Sequence, residues 1–179
     1  VYEGDWKDDN IHGTGKMEYR RGSVYVGEWK DGNHNGTGTY KLYDGDVYVG
    51  EWKDGNQNGT GTYKFYDGDV YVGEFKDDEL HGKGKMEYKS GTVYEGDWNK
   101  SHKHGEGKMK YKSGSVYEGQ WENNNRHGKG IYTNWSGDVY KGQWIDNKKH
   151  GKGKSIEKWQ QGGKTRKLVY DGEWKDNMK

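Results

Sequence analysis

The feature that most constrains this chain is a pair of aromatic residues that recurs every 23 positions. A tyrosine is followed four residues later by a second aromatic residue, through seven successive copies. The tyrosines are Tyr2, Tyr25, Tyr48, Tyr71, Tyr94, Tyr117 and Tyr140, and the second aromatic residues are Trp6, Trp29, Trp52, Phe75, Trp98, Trp121 and Trp144. Eleven residues after each tyrosine begins a Gly-x-Gly pair, from Gly13/Gly15 to Gly151/Gly153. Such a period indicates a repeat architecture in which each copy packs on its neighbours.

Two stretches of every repeat alternate with a period of two, which is typical of β-strands and not of helices. In the second repeat one face carries Tyr25, Gly27 and Trp29, and then Gly36, Gly38, Tyr40 and Leu42. The opposite face carries valine, threonine, glutamate and lysine. The glycines share a face with the rings, and a residue without Cβ lets a ring from the adjacent strand lie flat on the backbone. We therefore expect one face to be a ladder of aromatic rings seated on glycines.

The connections between these strands are short, so consecutive strands must pair in an antiparallel sense. Between repeats lie Asp-Gly or Ser-Gly pairs such as Asp44-Gly45, for which we expect a type I′ turn. Within each repeat a six-residue polar loop is expected after the second aromatic residue. Three residues after that residue the chain has Gly32 or Gly55 in two repeats, and Asp or Asn, which tolerate a left-handed conformation, in most others. Ser101 is the least suited residue at this position, so its loop is the one expected to differ.

The predicted fold class is all-β: an elongated single-layer antiparallel β-meander of about 15 strands, built from tandem 23-residue β-hairpin repeats. Seven tandem repeats occupy residues 1–153. A partial eighth repeat covers 170–179, where Tyr170, Gly172 and Trp174 restore the pattern after a displacement of seven residues. The segment 154–169 between them is expected to be an insertion or an irregular loop.

Composition and charge limit the classes of function. The chain is 33% charged and 27% hydrophobic, which is typical of disorder, but periodic aromatics at 15% argue for a folded protein with a thin core. The absence of cysteine favours a reducing, cytoplasmic compartment. Residues 1–145 hold 20 Lys/Arg against 24 Asp/Glu, which disfavours nucleic acid as a partner. The first residue falls inside a predicted strand, so we expect the sequence to be part of a longer protein.

Candidate catalytic and metal-binding motifs are weak. Five His-Gly pairs recur once per repeat, but successive copies would stand roughly 10 Å apart, too far to share an ion. Asp44-Gly45-Asp46 lacks the remaining ligands of a calcium loop, and Gly153-Lys154-Ser155 lacks the earlier glycine and the helix of a phosphate loop. No cysteine nucleophile or Gly-x-Ser-x-Gly elbow is present. We therefore expect no enzyme activity, no cofactor and no metal site.

The Tyr-x-Gly-x-Trp motif followed by Gly-x-Gly on a 23-residue period resembles the MORN (membrane occupation and recognition nexus) repeat. The resemblance covers almost all of residues 1–153 and, more weakly, 170–175. It implies a curved single-layer sheet that acts as a structural scaffold, often in cytoskeletal or ciliary assemblies. It also implies that a partner helix or extended peptide can lie in the groove of the sheet, and that some members dimerise.

Two functions from different classes follow as hypotheses. The first is a protein-binding scaffold in a ciliary or cortical cytoskeletal assembly, whose partner-binding residues are Tyr40, Leu42, Tyr63, Phe65, Tyr88 and Tyr111. These side chains lie beyond the glycines, where the ring ladder is least covered by itself, and they could equally serve only to stabilise the sheet. The alternative is a module that binds anionic phospholipid through the basic segment 146–179, with 10 Lys/Arg against 5 Asp/Glu and with Trp159 as an interfacial anchor. Exposed edge strands at both ends of the sheet also predict homo-oligomers or end-to-end contacts.

Overall fold

The computed structural model describes residues 1–179, which form 15 β-strands joined by short turns. The strands are β1 (Tyr2–Lys7), β2 (Asn10–Glu18), β3 (Val24–Lys30), β4 (Asn33–Lys41), β5 (Val47–Lys53), β6 (Asn56–Lys64), β7 (Val70–Lys76), β8 (Glu79–Glu87), β9 (Val93–Asn99), β10 (His102–Lys110), β11 (Val116–Glu122), β12 (Asn125–Thr133), β13 (Val139–Ile145), β14 (Lys148–Gln161) and β15 (Lys164–Trp174). No helix in the chain is long and apolar enough to cross a lipid bilayer.

The strands form one sheet whose spatial order is the order of the sequence, from β1 to β15. This arrangement confirms the predicted antiparallel meander of hairpin repeats. By its internal contacts the chain divides into two compact units. The first unit comprises Val1–Lys89 with Asn99–Ser101, and the second comprises Ser90–Trp98 with His102–Lys179.

The register of the strands places like residues side by side across the sheet. Within a hairpin, Tyr25 lies opposite Tyr40 and Gly27 lies opposite Gly38. Between repeats, Gly38 lies opposite Gly50. The paired glycines leave a strip of backbone without side chains on the ring face, and this strip is the seat on which the tyrosine rings lie.

A β-bulge lies between the glycine and the second aromatic residue in six hairpins that are formed within a repeat: β1–β2, β3–β4, β5–β6, β7–β8, β11–β12 and β13–β14. In the second repeat Gly36 takes a φ of 70° there, and the carboxylate of Glu28 accepts hydrogen bonds from the backbone N–H of Thr37, at 2.8 Å, and from its hydroxyl, at 2.7 Å. These bonds hold the pKa of Glu28 below its usual range. The acidic side chain therefore satisfies the backbone donor that the bulge removes from the ladder.

The shorter turn lies within each repeat and the longer one between repeats, whereas the sequence predicts the opposite order. After the second aromatic residue the predicted six-residue loop is wrong: the strands continue to a two-residue turn, such as Asp31-Gly32, in which both residues have positive φ. This is the backbone of a type I′ turn, whose twist matches that of the flanking strands. Lys100 and Ser101 adopt the same conformation, with φ of 48° and 61°, so the Ser101 turn does not differ from the others.

Between repeats the predicted type I′ turn is also wrong. Gly45 alone has positive φ, at 103°, while Asp44 does not. The N–H of Gly45 donates to the carbonyl of Leu42 at 3.2 Å, and the N–H of Leu42 donates to the carbonyl of Asp46 at 2.9 Å. This pattern is a three-residue loop with a left-handed glycine, which Ser-Gly pairs can form as readily as Asp-Gly pairs.

The segment 154–169 is an insertion with regular structure. It extends the hairpin of β14 and β15, which pair continuously from Gly151↔Trp174 to Gln161↔Lys164 around a Gly162-Gly163 turn. Both of these glycines have positive φ, as a two-residue hairpin turn requires. The two strands stay paired in register through the whole segment, so it lengthens the hairpin and is not an irregular loop.

The core of the protein lies on one face of the sheet and consists of aromatic rings. Six of the repeat tyrosines are 0–2% exposed, and the aromatic residues four positions later are 2–6% exposed from the second repeat onward. The buried tyrosines are Tyr25, Tyr48, Tyr71, Tyr94, Tyr117 and Tyr140.

Candidate functional site

The ring face, defined as the face that carries the repeat tyrosines, is built from the same contacts in every repeat. In the second repeat the ring of Tyr25 lies over Gly27 and Gly38, so closely that a Cβ on either glycine would overlap its hydroxyl. The Tyr25 hydroxyl donates a hydrogen bond to the carbonyl of Glu28 at 3.0 Å. The edge of Trp29 meets the tyrosine ring at 4.9 Å between centroids. Burial raises the pKa of Tyr25, so this hydroxyl remains a donor at neutral pH.

The tyrosine of one repeat also contacts the second aromatic residue of the next repeat. Trp52 packs edge-on against Tyr25 at 5.3 Å, so this tyrosine lies between two indole rings. Trp144 and Trp174 use their indole N–H groups to donate to the glycine carbonyls of Gly130, at 3.3 Å, and Gly153, at 2.9 Å. The ring ladder therefore covers itself across repeat boundaries, as expected for an architecture in which one repeat alone cannot bury its rings.

A further residue follows each repeat tyrosine by nine positions, and in five of the eight repeats its side chain lies over the tyrosine ring; we call these side chains the cover residues. They are Ile11, His34, Gln57, Leu80, Lys103, Arg126, Lys149 and Lys179. His34 stacks on Tyr25 with centroids 3.7 Å apart and an interplanar angle of 13°. The Arg126 guanidinium lies 4.4 Å from the Trp144 ring, and the Lys149 ammonium lies 4.8 Å from the Trp174 ring.

Reasoning from the sequence missed the cover residues because their chemistry varies from repeat to repeat. Their position in the period is the signal that could have found them. In the first unit they are neutral, and in the second unit they are basic. Burial lowers the pKa of Lys103 and of Lys149, because removal from water disfavours the charged ammonium.

The six predicted partner-binding residues lie on the ring face beside the buried ladder, and all six are partly exposed. We call this row the seam; its members are Tyr40, Leu42, Tyr63, Phe65, Tyr88 and Tyr111. Tyr40 packs edge-on against Trp52 at 6.0 Å, and Tyr63 contacts Phe65 at 4.5 Å. The structure therefore places five of the predicted residues on the ring face of the first unit and Tyr111 on the ring face of the second unit. Tyr19 occupies the same repeat position as Leu42 and was missed by the sequence argument.

A hydrogen bond and burial set the state of the seam tyrosines. The Tyr63 hydroxyl donates to the carboxylate of Asp46 at 2.7 Å. Burial, the Asp46 hydrogen bond and the Asp46 charge raise the pKa of Tyr63. Burial also raises the pKa of Tyr88 and of Tyr111. These phenols stay neutral at physiological pH and present apolar ring edges with hydroxyls that can donate hydrogen bonds.

The opposite face, which we call the polar face, has a groove of about 770 Å³ in the second unit. Its floor is formed by Gly119, Gly130, Gly142 and Gly153, the backs of the glycines that seat the rings. Its walls carry Glu106, Glu118, Gln120, Lys129, Ile131, Lys141, Gln143, Lys152, Lys154 and Asp171. The walls carry both acidic and basic side chains, and some pair with each other, as Lys154 does with Asp171 at 3.6 Å.

The histidines of the His-Gly pairs lie singly. His12 approaches Asp31 at 3.5 Å, and His127 approaches Glu122 at 3.5 Å and Asp146 at 3.9 Å. No group of three or more His, Asp or Glu side chains is placed to hold a metal ion. Asp46, one of the residues that resemble a calcium loop, instead accepts a hydrogen bond from the backbone N–H of Tyr66 at 2.8 Å in the next turn.

The chain is similar in fold to several solved structures. One of them is the TCP domain of SAS-4 (dCPAP) of Drosophila melanogaster, solved in complex with a proline-rich motif of Ana2 (dSTIL). The TM-score is 0.50 at 10% sequence identity, over 88% of this chain and 83% of that one, so the likeness concerns the fold alone. No curated protein matches this sequence.

The family comparison is more direct. The MORN repeat model matches residues 2–24, 25–47, 48–70, 71–93, 94–116, 117–139, 140–156 and 170–179. The gap between the last two matches falls on the tip of the β14–β15 hairpin, where the structure shows the insertion. Each full match spans one tyrosine, its glycine seat and its second aromatic residue. The chain therefore belongs to the MORN repeat family.

Proposed function

We propose that this chain is a non-catalytic scaffold that binds a protein partner, as a helix or an extended peptide, along the seam of its ring face. One observation carries the proposal: the ladder tyrosines are covered by the chain itself, whereas the seam is a row of large apolar side chains left partly exposed beside them. A peptide lying on the seam would remove that apolar surface from water, at about 25 cal/mol per Å².

The comparisons support a binding role at a coarser level. MORN repeats form a non-catalytic repeat family, and the chain is a repeat scaffold of this kind. The related sheet of SAS-4 was solved with a proline-rich motif of another protein. We extend this to a cytoplasmic setting in a ciliary or cortical cytoskeletal assembly, an extension that rests on the family resemblance.

The proposal is tested by placing a photo-crosslinking benzoylphenylalanine at Leu42, on the seam, and separately at Lys41, the next residue on the opposite face. A defined partner should crosslink from Leu42 and not from Lys41. The double variant Tyr40→Ser/Tyr63→Ser, once its β-sheet circular dichroism matches the wild type, should lose the Leu42 adduct. Recovery of the same protein from both positions, or an adduct unaffected by the double variant, would show that the seam is only structural.

A second candidate function is binding to an anionic membrane surface, and one feature favours it. The extended β14–β15 hairpin exposes Trp159 and Leu168, which are 46% and 52% accessible, close to the basic residues Arg166 and Lys167. Each basic residue near an anionic leaflet contributes about 1 kcal/mol. Charge reversal by Arg166→Glu/Lys167→Glu should therefore lower co-sedimentation with phosphatidylserine vesicles more than tenfold. Equal sedimentation of both proteins would exclude this hairpin as the anchor.

A further inference from the structure

On the polar face of the first unit, a row of uncharged side chains crosses five neighbouring strands from β3 to β7. Cross-strand pairing places them side by side in the order Val26, Thr39, Val49, Thr62, Val72. The three valines are 50%, 46% and 52% exposed. We call these five residues the valine row. It is an uncharged strip in which exposed valines alternate with half-buried threonines, on the face that the ring ladder does not use.

The same repeat positions in the second unit show that the fold does not need this row. There the pairing order is Glu118, Ile131, Lys141, Lys154, Asp171. The second unit forms the same strands with the same register, although four of these five side chains are charged. High strand propensity of valine and threonine therefore does not account for the valine row. The fold does not require valine at this position, yet valine recurs there in three consecutive repeats. We interpret this as a surface that a binding partner covers.

Charged rims run along both sides of the valine row. On one side lie Glu28, Glu51 and Glu74, and on the other lie Lys41 and Lys64, which alternate with half-buried valines. The carboxylates accept backbone hydrogen bonds at the bulges, from the N–H groups of Thr37, Thr60 and Lys83 at 2.8–2.9 Å. None of the five rim charges makes an ion pair within the chain.

The second unit again provides the contrast. On its polar face, Lys108 pairs with Glu118 at 2.8 Å and Lys154 pairs with Asp171 at 3.6 Å. Charges on that face compensate one another, whereas the rims of the first unit remain open to opposite charges from outside. Unpaired charges on both sides of the row favour a partner with opposite charges at matching positions. The rims therefore indicate which charged residues the partner should carry.

The dimensions of the row fit an α-helix lying across the strands. Strands about 4.8 Å apart place successive valines, two strands apart, roughly 9.6 Å from each other. Residues i and i+7 of a helix are about 10.5 Å apart, and five strands span the length of about 13 helical residues. The rims, two residues to either side along each strand, are about 13 Å apart, which matches a helix diameter of about 10–12 Å.

We propose that the valine row docks an amphipathic helix of a partner protein. Its apolar stripe repeats every seven residues over Val26, Val49 and Val72. One flank of the helix carries basic residues that face Glu28, Glu51 and Glu74, and the other carries acidic residues that face Lys41 and Lys64. This site lies on the opposite face from the seam, so the scaffold would hold two partners independently, one on each face of the first unit.

Other occupants fit the observations less well. An extended peptide laid on the face of a sheet would leave its own N–H and C=O groups without partners, whereas a helix satisfies them internally. An anionic membrane would be repelled by the glutamate rim. A second copy of the chain has no helix to offer.

The test uses three fluorescent, hydrocarbon-stapled 16-residue peptides and the 179-residue chain. All carry the same leucine stripe at i, i+3, i+7, i+10 and i+14; one has a lysine flank and a glutamate flank, one has lysine on both and one has glutamate on both. Fluorescence anisotropy should show the mixed peptide binding at least tenfold tighter than either control peptide. Val49→Glu should weaken that binding at least tenfold. The variant copies Glu118 of the second unit, so the sheet already tolerates glutamate at this position.

A triple variant, Val26→Thr/Val49→Thr/Val72→Thr, keeps strand-forming residues and should also weaken binding, which covers a failure of Val49→Glu to fold. Leu42→Ser on the seam should leave binding unchanged. The proposal is overturned if the mixed peptide does not bind, binds no better than the controls, or binds the folded Val49→Glu variant equally well. Sedimentation of the wild type as a dimer that Val49→Glu converts to a monomer would also overturn it, because a second copy would then cover the row.

Discussion

At the scale of single residues, short polar side chains in the turns tie neighbouring repeats together. The side chains of Asp78, Asn124 and Asn147 each accept a hydrogen bond from the backbone N–H of a cover residue in the preceding repeat, at 2.7–3.0 Å. The backbone N–H of each donates to the carbonyl of that same cover residue. The side-chain bond offsets the cost of a left-handed conformation in a residue that has a Cβ.

This arrangement predicts that two substitutions of Asn147 destabilise the protein to different degrees. Asn147→Ala keeps a Cβ at a φ of 68° and loses the bond to the Arg126 N–H, so we expect it to destabilise the protein by about 1–2 kcal/mol. Asn147→Gly loses the same bond but relieves the backbone, and should cost less than about 1 kcal/mol. Urea denaturation of both variants beside the wild type measures the difference. Equal destabilisation by the two would contradict this account of the turn.

His34 makes the stability of the first unit depend on pH. Burial against the rings lowers its pKa to about 4, from an ordinary value of 6.5, so the folded state resists protonation. The unfolded chain binds the proton more readily in this window, so the stabilisation is complete above pH 6.5 and is lost as pH falls towards 4. The size of the shift corresponds to roughly 3 kcal/mol.

The matched control for His34 is His34→Gln, because glutamine already occupies the cover position of the next repeat at Gln57. Thermal denaturation of both proteins between pH 4 and 7 should show a steeper loss of stability for the wild type. Carboxylates titrate in both proteins, and their contribution cancels in the comparison. Parallel curves would mean that His34 is not held neutral by the fold.

At the scale of a hairpin, the glycine seat decides where the rings lie. A Cβ on Gly61 would stand 2.6 Å from both Cε2 and the hydroxyl of Tyr48. The φ of Gly61 is not in the left-handed region, so alanine would be excluded by the ring and not by its own backbone. The closed contact also explains why a sheet with one apolar face can bury its tyrosines completely.

We therefore expect Gly61→Ala to displace Tyr48 and destabilise the protein by about 2–3 kcal/mol. Thr62→Ala, at the adjacent position on the polar face, should cost less than about 1 kcal/mol and serves as the control. Denaturant titration gives the two free energies of unfolding, and near-ultraviolet circular dichroism reports the environment of the rings. Unaltered ring signals in Gly61→Ala would show that the seat is not close-packed.

At the scale of the whole molecule, the first strand of these 179 residues pairs on one side only, with β2. Trp6 of β1 is 61% exposed, whereas Trp29 at the same position in the next repeat is 5% exposed. The difference arises because each tryptophan is covered by the tyrosine of the preceding repeat, as Trp29 is by Tyr2 at 5.6 Å. An unpaired strand with an exposed ring favours pairing with another chain.

The 179-residue chain is accordingly expected to associate with itself as its concentration rises. Sedimentation equilibrium should show a mass above that of the monomer, and Glu3→Pro/Trp6→Ser should return the protein towards the monomer by removing a donor and the ring from β1. A monomeric mass for the wild type at all concentrations would rule out association through this edge.

Much of the architecture could be predicted from the sequence because it follows from local periodicity. The 23-residue spacing and the two-residue alternation require antiparallel hairpins, and the glycines that share a face with Tyr25 require rings on that face. The sequence places the type I′ turn in the wrong connection because Asp-Gly pairs occur in both. Only the register of the strands shows that the two-residue turn follows the second aromatic residue of a repeat. Asp31-Gly32 forms the type I′ turn, while Gly45 ends a three-residue loop.

What the sequence by itself determined is therefore the repeat, the strand order and the identity of the buried face, since each depends on neighbours in the chain. The tertiary structure alone decided what lies on each ring and which side chains share a row. The cover residues from Ile11 to Lys149, and the valines of the valine row, are each 23 positions apart in the sequence. They lie near one another because successive repeats stack in the sheet. The stacking of repeats determines where these side chains lie but does not require a particular residue type. Their chemistry can therefore differ between the two units.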